Sequence, residues 1–242
     1  YIMSMELTWH GHSCWRVTID ETSFLIDPFF ENPHTSMDPE DVDSPDYLLL
    51  THGHADHIAD ASAFTEATVV GVPEMTGYME SEIGFDASVG MNIGGTVSCG
   101  DGYVTMHRAD HTNGLNTGYE RSLGVPVGFI LSESAPVMSE SDTTTTFYHA
   151  GDTGLMSEMK DVIGQYIQPD AAALPTGDHF TMGPTQTAIA ADWLGVEHLF
   201  PMHYDTFGPI EIETEDLLHA VENRTEGTTV HVLDGDESYT LT

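Results

Sequence analysis

Short apolar runs punctuated by Gly, Asp and Pro recur along this chain, and few continue beyond a strand's length. Glu6–His10, Trp15–Asp20 and Ser23–Asp27 read as short strands, with a turn at Asp20-Glu21-Thr22 and a stop at Asp27-Pro28. An acidic, proline-bearing loop follows from Asn32 to Pro45. Tyr47-Leu48-Leu49-Leu50 is a continuous apolar run, the pattern of a strand buried on both faces. The spacing then predicts a helix over Asp56–Glu66, a strand over Thr68–Val72, and a helix over Pro73–Ile83 with proline in its first turn. Gly94–Ser98 and Tyr103–His107 read as a hairpin across Gly100-Asp101-Gly102.

The second half follows the same style without repeating the sequence. Val125–Ser132 and Thr144–His149 read as paired strands joined by a polar loop, Glu133–Asp142. Met156–Ile167 reads as a helix, Ala171–Pro175 as a buried strand, Thr185–Leu194 as a helix and His198–Pro201 as a short strand. A helix over Glu215–Asn223 precedes an expected hairpin, Thr229–Leu233 to Ser238–Leu241, turning at Asp234-Gly235-Asp236. Strands and helices in two successive halves with no linker predict one domain over residues 1–242, two packed sheets covered by helices.

Composition narrows the function. The 242 residues are 40% hydrophobic, a globular content, yet carry 40 Asp and Glu against 5 Lys and Arg, a formal net charge of −35. The cations Arg16, Arg108, Arg121, Lys160 and Arg224 are scattered, so a basic nucleic-acid footprint is absent. Self-repulsion at this charge opposes folding in dilute buffer. At molar salt the Debye length is about 3 Å and the repulsion largely vanishes. A single lysine amid abundant Asp, Glu and Thr resembles proteins of salt-accumulating halophiles. No run approaches the ~20 apolar residues of a membrane span. The start, Tyr1-Ile2-Met3-Ser4-Met5, shows no signal-peptide pattern, and Cys14 and Cys99 make no disulfide framework. The expectation is a cytoplasmic protein acting on a small molecule, away from membranes and nucleic acids, with homo-oligomer formation left open.

The chemistry concentrates directly after the buried run, in Thr51-His52-Gly53-His54-Ala55-Asp56-His57. A loop at a strand end can aim alternate side chains into one cleft, and four metal-type ligands at this spacing can serve two ions. Imidazole and carboxylate suit zinc, iron or manganese, and the lack of a nearby cysteine argues against a structural thiolate site.

His-x-His-x-Asp-His after an apolar strand resembles the signature of the metallo-β-lactamase-fold superfamily, and further motifs appear in order. Asp27 matches its early structural aspartate, His111 in Arg108-Ala109-Asp110-His111-Thr112 its next histidine, Asp152 in His149-Ala150-Gly151-Asp152-Thr153-Gly154 its bridging aspartate, and His203 in Pro201-Met202-His203-Tyr204 its final histidine. Trp9-His10-Gly11-His12-Ser13, the segment Gly177 to Pro184 and Pro201 to Phe207 resemble a subgroup of small metal-dependent hydrolases related to the ascorbate-6-phosphate lactonases.

The resemblance implies an α/β (α+β) fold, a four-layer αββα sandwich with two mixed sheets flanked by helices. It also implies two divalent ions per chain, zinc first, with manganese or iron as alternatives. One ion falls to His52, His54 and His111, the other to Asp56, His57 and His203, with Asp152 bridging. A bridging hydroxide would attack an ester or lactone carbonyl or a phosphoester, with Asp56 moving protons. His179, beside Asp178, is a second candidate proton donor. His12, His149, Asp27 and Asp178 are expected to contact substrate or support the ligands; His107 reads as an ordinary strand residue. A phosphodiesterase or nuclease-like hydrolase of the same fold is the near alternative, and a non-catalytic metal-binding module the distant one. Diiron flavoproteins of this fold place a carboxylate where His54 stands, which argues against redox iron.

Overall fold

The computed structural model describes residues 4–115, 121–135 and 144–241. Six strands from the first half, β1 (Met5–Trp9), β2 (Trp15–Ile19), β3 (Thr22–Ile26), β4 (Tyr47–Leu49), β5 (Thr68–Gly71) and β6 (Ser88–Gly90), form most of one sheet. The second sheet holds β7 (Thr96–Cys99), β8 (Gly102–Arg108), β9 (Val127–Ser132), β10 (Thr146–His149), β11 (Ala171–Pro175), β12 (His198–Met202) and β13 (Thr229–Val230). A last strand, β14 (Glu237–Leu241), returns to the first sheet beside β1, in the order β14-β1-β2-β3-β4-β5-β6. Both sheets are mixed: pairing is antiparallel through β14, β1, β2 and β3 and parallel from β3 to β6, and again antiparallel from β7 to β10 and parallel from β10 to β13.

The faces that meet are apolar because the strands alternate or are buried throughout. β2 shows every second residue buried, whereas all residues of β9, β10 and β11 are buried. Trp15 of the first sheet packs its ring 5.7 Å from Phe147 and 5.6 Å from Phe200 of the second, and this aromatic contact joins the sheets. After the short helices α1 (Ala55–Ile58) and α2 (Pro73–Tyr78) of the first half, a second cluster, including Tyr148, Leu174, Ala190, Leu194 and Leu217, seals the second sheet under α3 (Pro184–Leu194), α4 (Thr214–Glu222) and a π-helical segment, Met159–Ile167. Two mixed seven-stranded sheets flanked by helices are the αββα sandwich expected above. Among the described residues, no helix is long and apolar enough to cross a membrane.

Four local expectations are corrected. Asp56–Glu66 is not one helix: a single α-turn, Ala55–Ile58, gives way to a 3-10 turn at Ala61–Phe64. Asp60 explains the break, because its N–H donates to Pro28 O (3.2 Å) and its carboxylate accepts from Phe30 N–H (2.7 Å), so the loop after β3 takes groups the helix would need. The C-terminal hairpin does not form: β13 runs parallel to β12 and β14 antiparallel to β1, so the Asp234–Asp236 turn carries the chain between sheets. β6 was not expected. Met159–Ile167 is wider than an α-helix; at Gly164 the backbone lies so close to Trp193 O of α3 that a Cβ would collide. Residues 136–142 of the acidic loop expected over Glu133–Asp142, residues 116–120 of the loop from Thr112 to Ser122, the first three residues and the last one lie outside the described residues.

Candidate metal centre

The parallel strands end on one edge of the sandwich, where the crossover loops open a crevice. β3 leads into Asp27, β4 into His52–His57, β8 into His111, β10 into Asp152 and β12 into His203. Asp27 and His203 leave their strands at φ of 48° and 55°, left-handed conformations that are costly for residues with a Cβ and that turn these side chains into the crevice. Gly151, at φ 63°, makes the corresponding bend before Asp152, and a Cβ there would strike Val127 O.

Asp152 stands at the centre. Its Oδ2 lies 3.0 Å from His203 Nε2, 3.4 Å from His57 Nε2, 3.5 Å from His111 Nε2 and 3.9 Å from His52 Nε2. On one side, ligand atoms of His52, His54 and His111 lie within 4.8 Å of one another; on the other, those of Asp56, His57, His203 and His12 do the same. His52 Nε2 and His54 Nδ1 are 3.0 Å apart, close to the roughly 3.3 Å between two nitrogens on one tetrahedral ion. All seven residues assigned as ligands therefore meet in one cluster.

Asp27 sets how two of these histidines present themselves. A carboxylate can only accept, so the 2.8 Å contact requires His57 to carry its hydrogen on Nδ1, which leaves Nε2 facing the crevice. Thr51 donates its N–H to Asp27 Oδ1 (2.9 Å) and its hydroxyl to Oδ2 (2.6 Å). With its hydrogen spent, the Thr51 oxygen accepts from His52 Nδ1–H at 3.0 Å, and His52 Nε2 is left with a lone pair. Asn113 Oδ1 accepts Gly53 N–H at 2.7 Å and fixes the backbone between His52 and His54. Neither Thr51 nor Asn113 carries a metal-type side chain, so nothing in the sequence marked them.

His12 is fully buried. Its Nε2 is 3.1 Å from Asp56 Oδ2 and its Nδ1 is 2.9 Å from Thr206 Oγ1, so Nε2–H donates to the carboxylate and Nδ1 accepts the hydroxyl. Its carbonyl also accepts His203 N–H at 3.0 Å, so one turn residue touches two residues of the same ligand group. His149 donates Nε2–H to Ser13 O (3.0 Å) and accepts Gly151 N–H on Nδ1 (3.2 Å), bracing the Asp152 loop against that same turn. His107 faces Glu158 instead, at 3.2 Å. Asp178 and His179 are exposed and line a different cavity with Pro184, Pro209 and Glu211; none of the seven ligands lines it.

The electrostatics suit a cation. Burial holds His52, His54 and His111 below the usual imidazole pKa, so they are neutral donors. Burial pulls His12 down to about 3, with His203 adding to it. Burial would raise Asp56 and Asp152, but the surrounding histidines outweigh it and hold both carboxyls ionised. Burial would likewise lower His57, yet Asp152, Asp27 and Asp56 raise it well above 6.5. One imidazolium thus answers three carboxylates, and a divalent cation would displace its proton. The buried atoms His57 Nε2 and Asp152 Oδ1 have no hydrogen-bond partner among the described residues, which fits ligands aimed at an ion.

Two sheets delivering a carboxylate-centred histidine cluster to one edge define a metal-dependent hydrolase of the metallo-β-lactamase fold. Residues 22–204 match the model of the beta-lactamase superfamily domain. A UPF0173 metal-dependent hydrolase from Haloquadratum walsbyi is 70% identical over 237 residues, covering 98% of this chain and all of that protein. Another from Haloarcula marismortui is 59% identical over 240 residues, covering 98% of this chain and all of its own length. The solved structure of a metallo hydrolase from the hyperthermophilic archaeon Ignicoccus hospitalis superposes with a TM-score of 0.84 at 31% identity, covering 99% of each chain. The chain belongs to the beta-lactamase superfamily, among its UPF0173 metal-dependent hydrolases.

Proposed function

We propose that this chain is a binuclear hydrolase of ester, lactone or phosphoester bonds in small molecules, working in a salt-laden cytoplasm. The position of Asp152 carries the reading: a single carboxylate oxygen sits between two separate groups of ligand atoms. His52, His54 and His111 would hold one ion, and Asp56, His57 and His203 the other. When bound, such a pair lowers the pKa of water towards ~7 and polarises the oxygen of the bond to be cut.

The chain's own residues supply the rest. The Asp56 side chain is 28% exposed, against 2% for that of Asp152, so it is the carboxylate that a leaving group can reach. Its position next to the reacting bond suits it to receive a proton and pass it to the departing oxygen. His12, donating to Asp56 Oδ2, keeps that carboxylate aimed into the crevice. The acidic exterior supports a small substrate over a polynucleotide, and the haloarchaeal relatives support salt adaptation.

The test is metal content by plasma emission spectrometry on protein purified in molar KCl, alongside turnover of a lactone panel and bis-4-nitrophenyl phosphate. About two ions per chain with turnover, lost in Asp152→Ala and His54→Ala, is the expected result. Full retention of both ions by folded Asp152→Ala would refute the bridging assignment.

A further inference from the structure

We propose that the cavity beside His111 receives an oxyanionic tail of the substrate, a carboxylate or phosphate group gripped by Arg108, with an apolar stem between that tail and the bond that is cut. The proposal rests on the hydrolase reading above and adds to it a substrate class. The cavity has a volume of about 640 Å³ and is lined by Ile93, Arg108, Ala109, Asp110, His111, Val125 and Pro126. Its lining thus joins His111, one of the assigned ligands, to Arg108 and to the apolar Ile93, Ala109, Val125 and Pro126. Ile93 and Val125 are 41% and 48% exposed, apolar side chains left open where a stem would cover them.

Arg108 closes β8 and its guanidinium is held in place. Nε and Nη2 both reach Asp110 Oδ1, at 2.7 and 2.6 Å, so the pair uses one hydrogen of each and leaves three N–H groups outside it. Asp110 is itself braced against the loop carrying Asp152: its N–H meets Thr153 Oγ1 at 3.0 Å and its carbonyl accepts Gly154 N–H at 3.1 Å. Only two residues separate Arg108 from His111, so three Cα–Cα steps limit their Cα atoms to about 11 Å apart, the reach of a short-chain substrate.

The acidic neighbourhood decides on which side an anion can sit. Arg108 also borders a second cavity, but Glu158 and Asp161 line that one and would repel an anion. On the His111 side Asp110 is the only carboxylate in the lining among the described residues, and it is already engaged with Arg108. In a chain of net charge −35, a guanidinium placed beside a ligand histidine is a local exception to the surface.

The experiment is calorimetric titration of zinc-loaded protein in molar KCl with glutarate, 4-phosphonobutanoate and pentanoate, ligands of matched length with and without a second anionic end. Zinc per chain is measured on each sample. The wild type is expected to bind one of the two dianions at least about tenfold tighter than pentanoate, the scale of a charge-assisted contact. Which dianion wins distinguishes a carboxylate tail from a phosphate tail. Arg108→Met should bring the preferred dianion level with pentanoate, and Arg108→Lys should keep part of the preference, both with wild-type zinc content. An unchanged preference in zinc-loaded Arg108→Met overturns the subsite alone. Protein that takes up no zinc overturns the hydrolase reading and the subsite with it.

Discussion

Asp27→Asn isolates the support for the metal centre without touching a ligand. The substitution keeps an acceptor at Oδ1 for Thr51 N–H but can turn Oδ2 into an NH₂ group facing the Thr51 hydroxyl and His57 Nδ1. The hydroxyl can rotate, whereas the imidazole must move its hydrogen to Nε2, the atom that faces Asp152 at 3.4 Å. The opposite amide orientation keeps His57 paired and instead leaves Thr51 N–H facing the NH₂ group. Removing the partner of a ligating histidine lowers metal affinity by about 10–100-fold, or ~1.4–2.8 kcal/mol. Asp27 orients His57 directly and His52 through Thr51, which places the expected loss in the upper part of that range. Zinc affinity would be measured by competition with a chromophoric chelator in molar KCl, with stoichiometry read in the same titration. The ion assigned to Asp56, His57 and His203 should weaken first, and ¹⁵N spectra should show the His57 tautomer shift. Two ions held by Asp27→Asn at wild-type affinity would refute the argument that this carboxylate sets the donor atoms.

Two further outcomes follow from charge. At −35, raising KCl from 0.1 to 2 M should raise the melting temperature, since screening shortens from about 10 Å to below 3 Å; a melting temperature indifferent to KCl would contradict it. Burial, then the adjacent His198, lowers the pKa of His231, whose Nε2 lies 2.9 Å from His198 Nδ1. Its neutral form is thus favoured by folding, so its contribution to stability is present above pH ~6.5 and lost as pH falls below that towards its folded value. His231→Gln should flatten the fall in melting temperature between pH 7 and 5.5, and an identical slope would rule out this origin.

The legible part of the site was the part written locally. His52 to His57, Asp152 and His203 each follow an apolar run that could only be an interior strand, so their position at a strand end came with the pattern. His12 was visible as a histidine in a turn, but its contact with Asp56 spans 44 residues and depends on how two loops meet. Thr51 and Asn113 were illegible because a hydroxyl and an amide acquire their roles only from what they touch. The C-terminal strands were read as a hairpin because Asp234-Gly235-Asp236 has hairpin chemistry. Alternation reports which residues face a core, and it is silent on which sheet supplies the neighbour. Asp60 broke a predicted helix for a related reason: the competitor for its N–H, Pro28 O, lies in a loop far earlier in the chain.

The pairing of β14 with β1 gives the molecule an order of assembly. Asp236 donates its N–H to Trp9 O (2.6 Å) and accepts from His10 at 2.8 Å, so the last turn clamps the segment leading to His12. The residues His10 and Asp236 stand 226 apart, which at ribosomal speeds of 5–20 residues per second is roughly 11–45 s of synthesis. During that interval β1 is an uncapped edge on a growing sheet, open to pairing with another nascent chain. Its turn, which must brace Asp56, His203 and the Asp152 loop, is unclamped for as long. The turn that braces the candidate metal centre is therefore completed only after translation has passed β14.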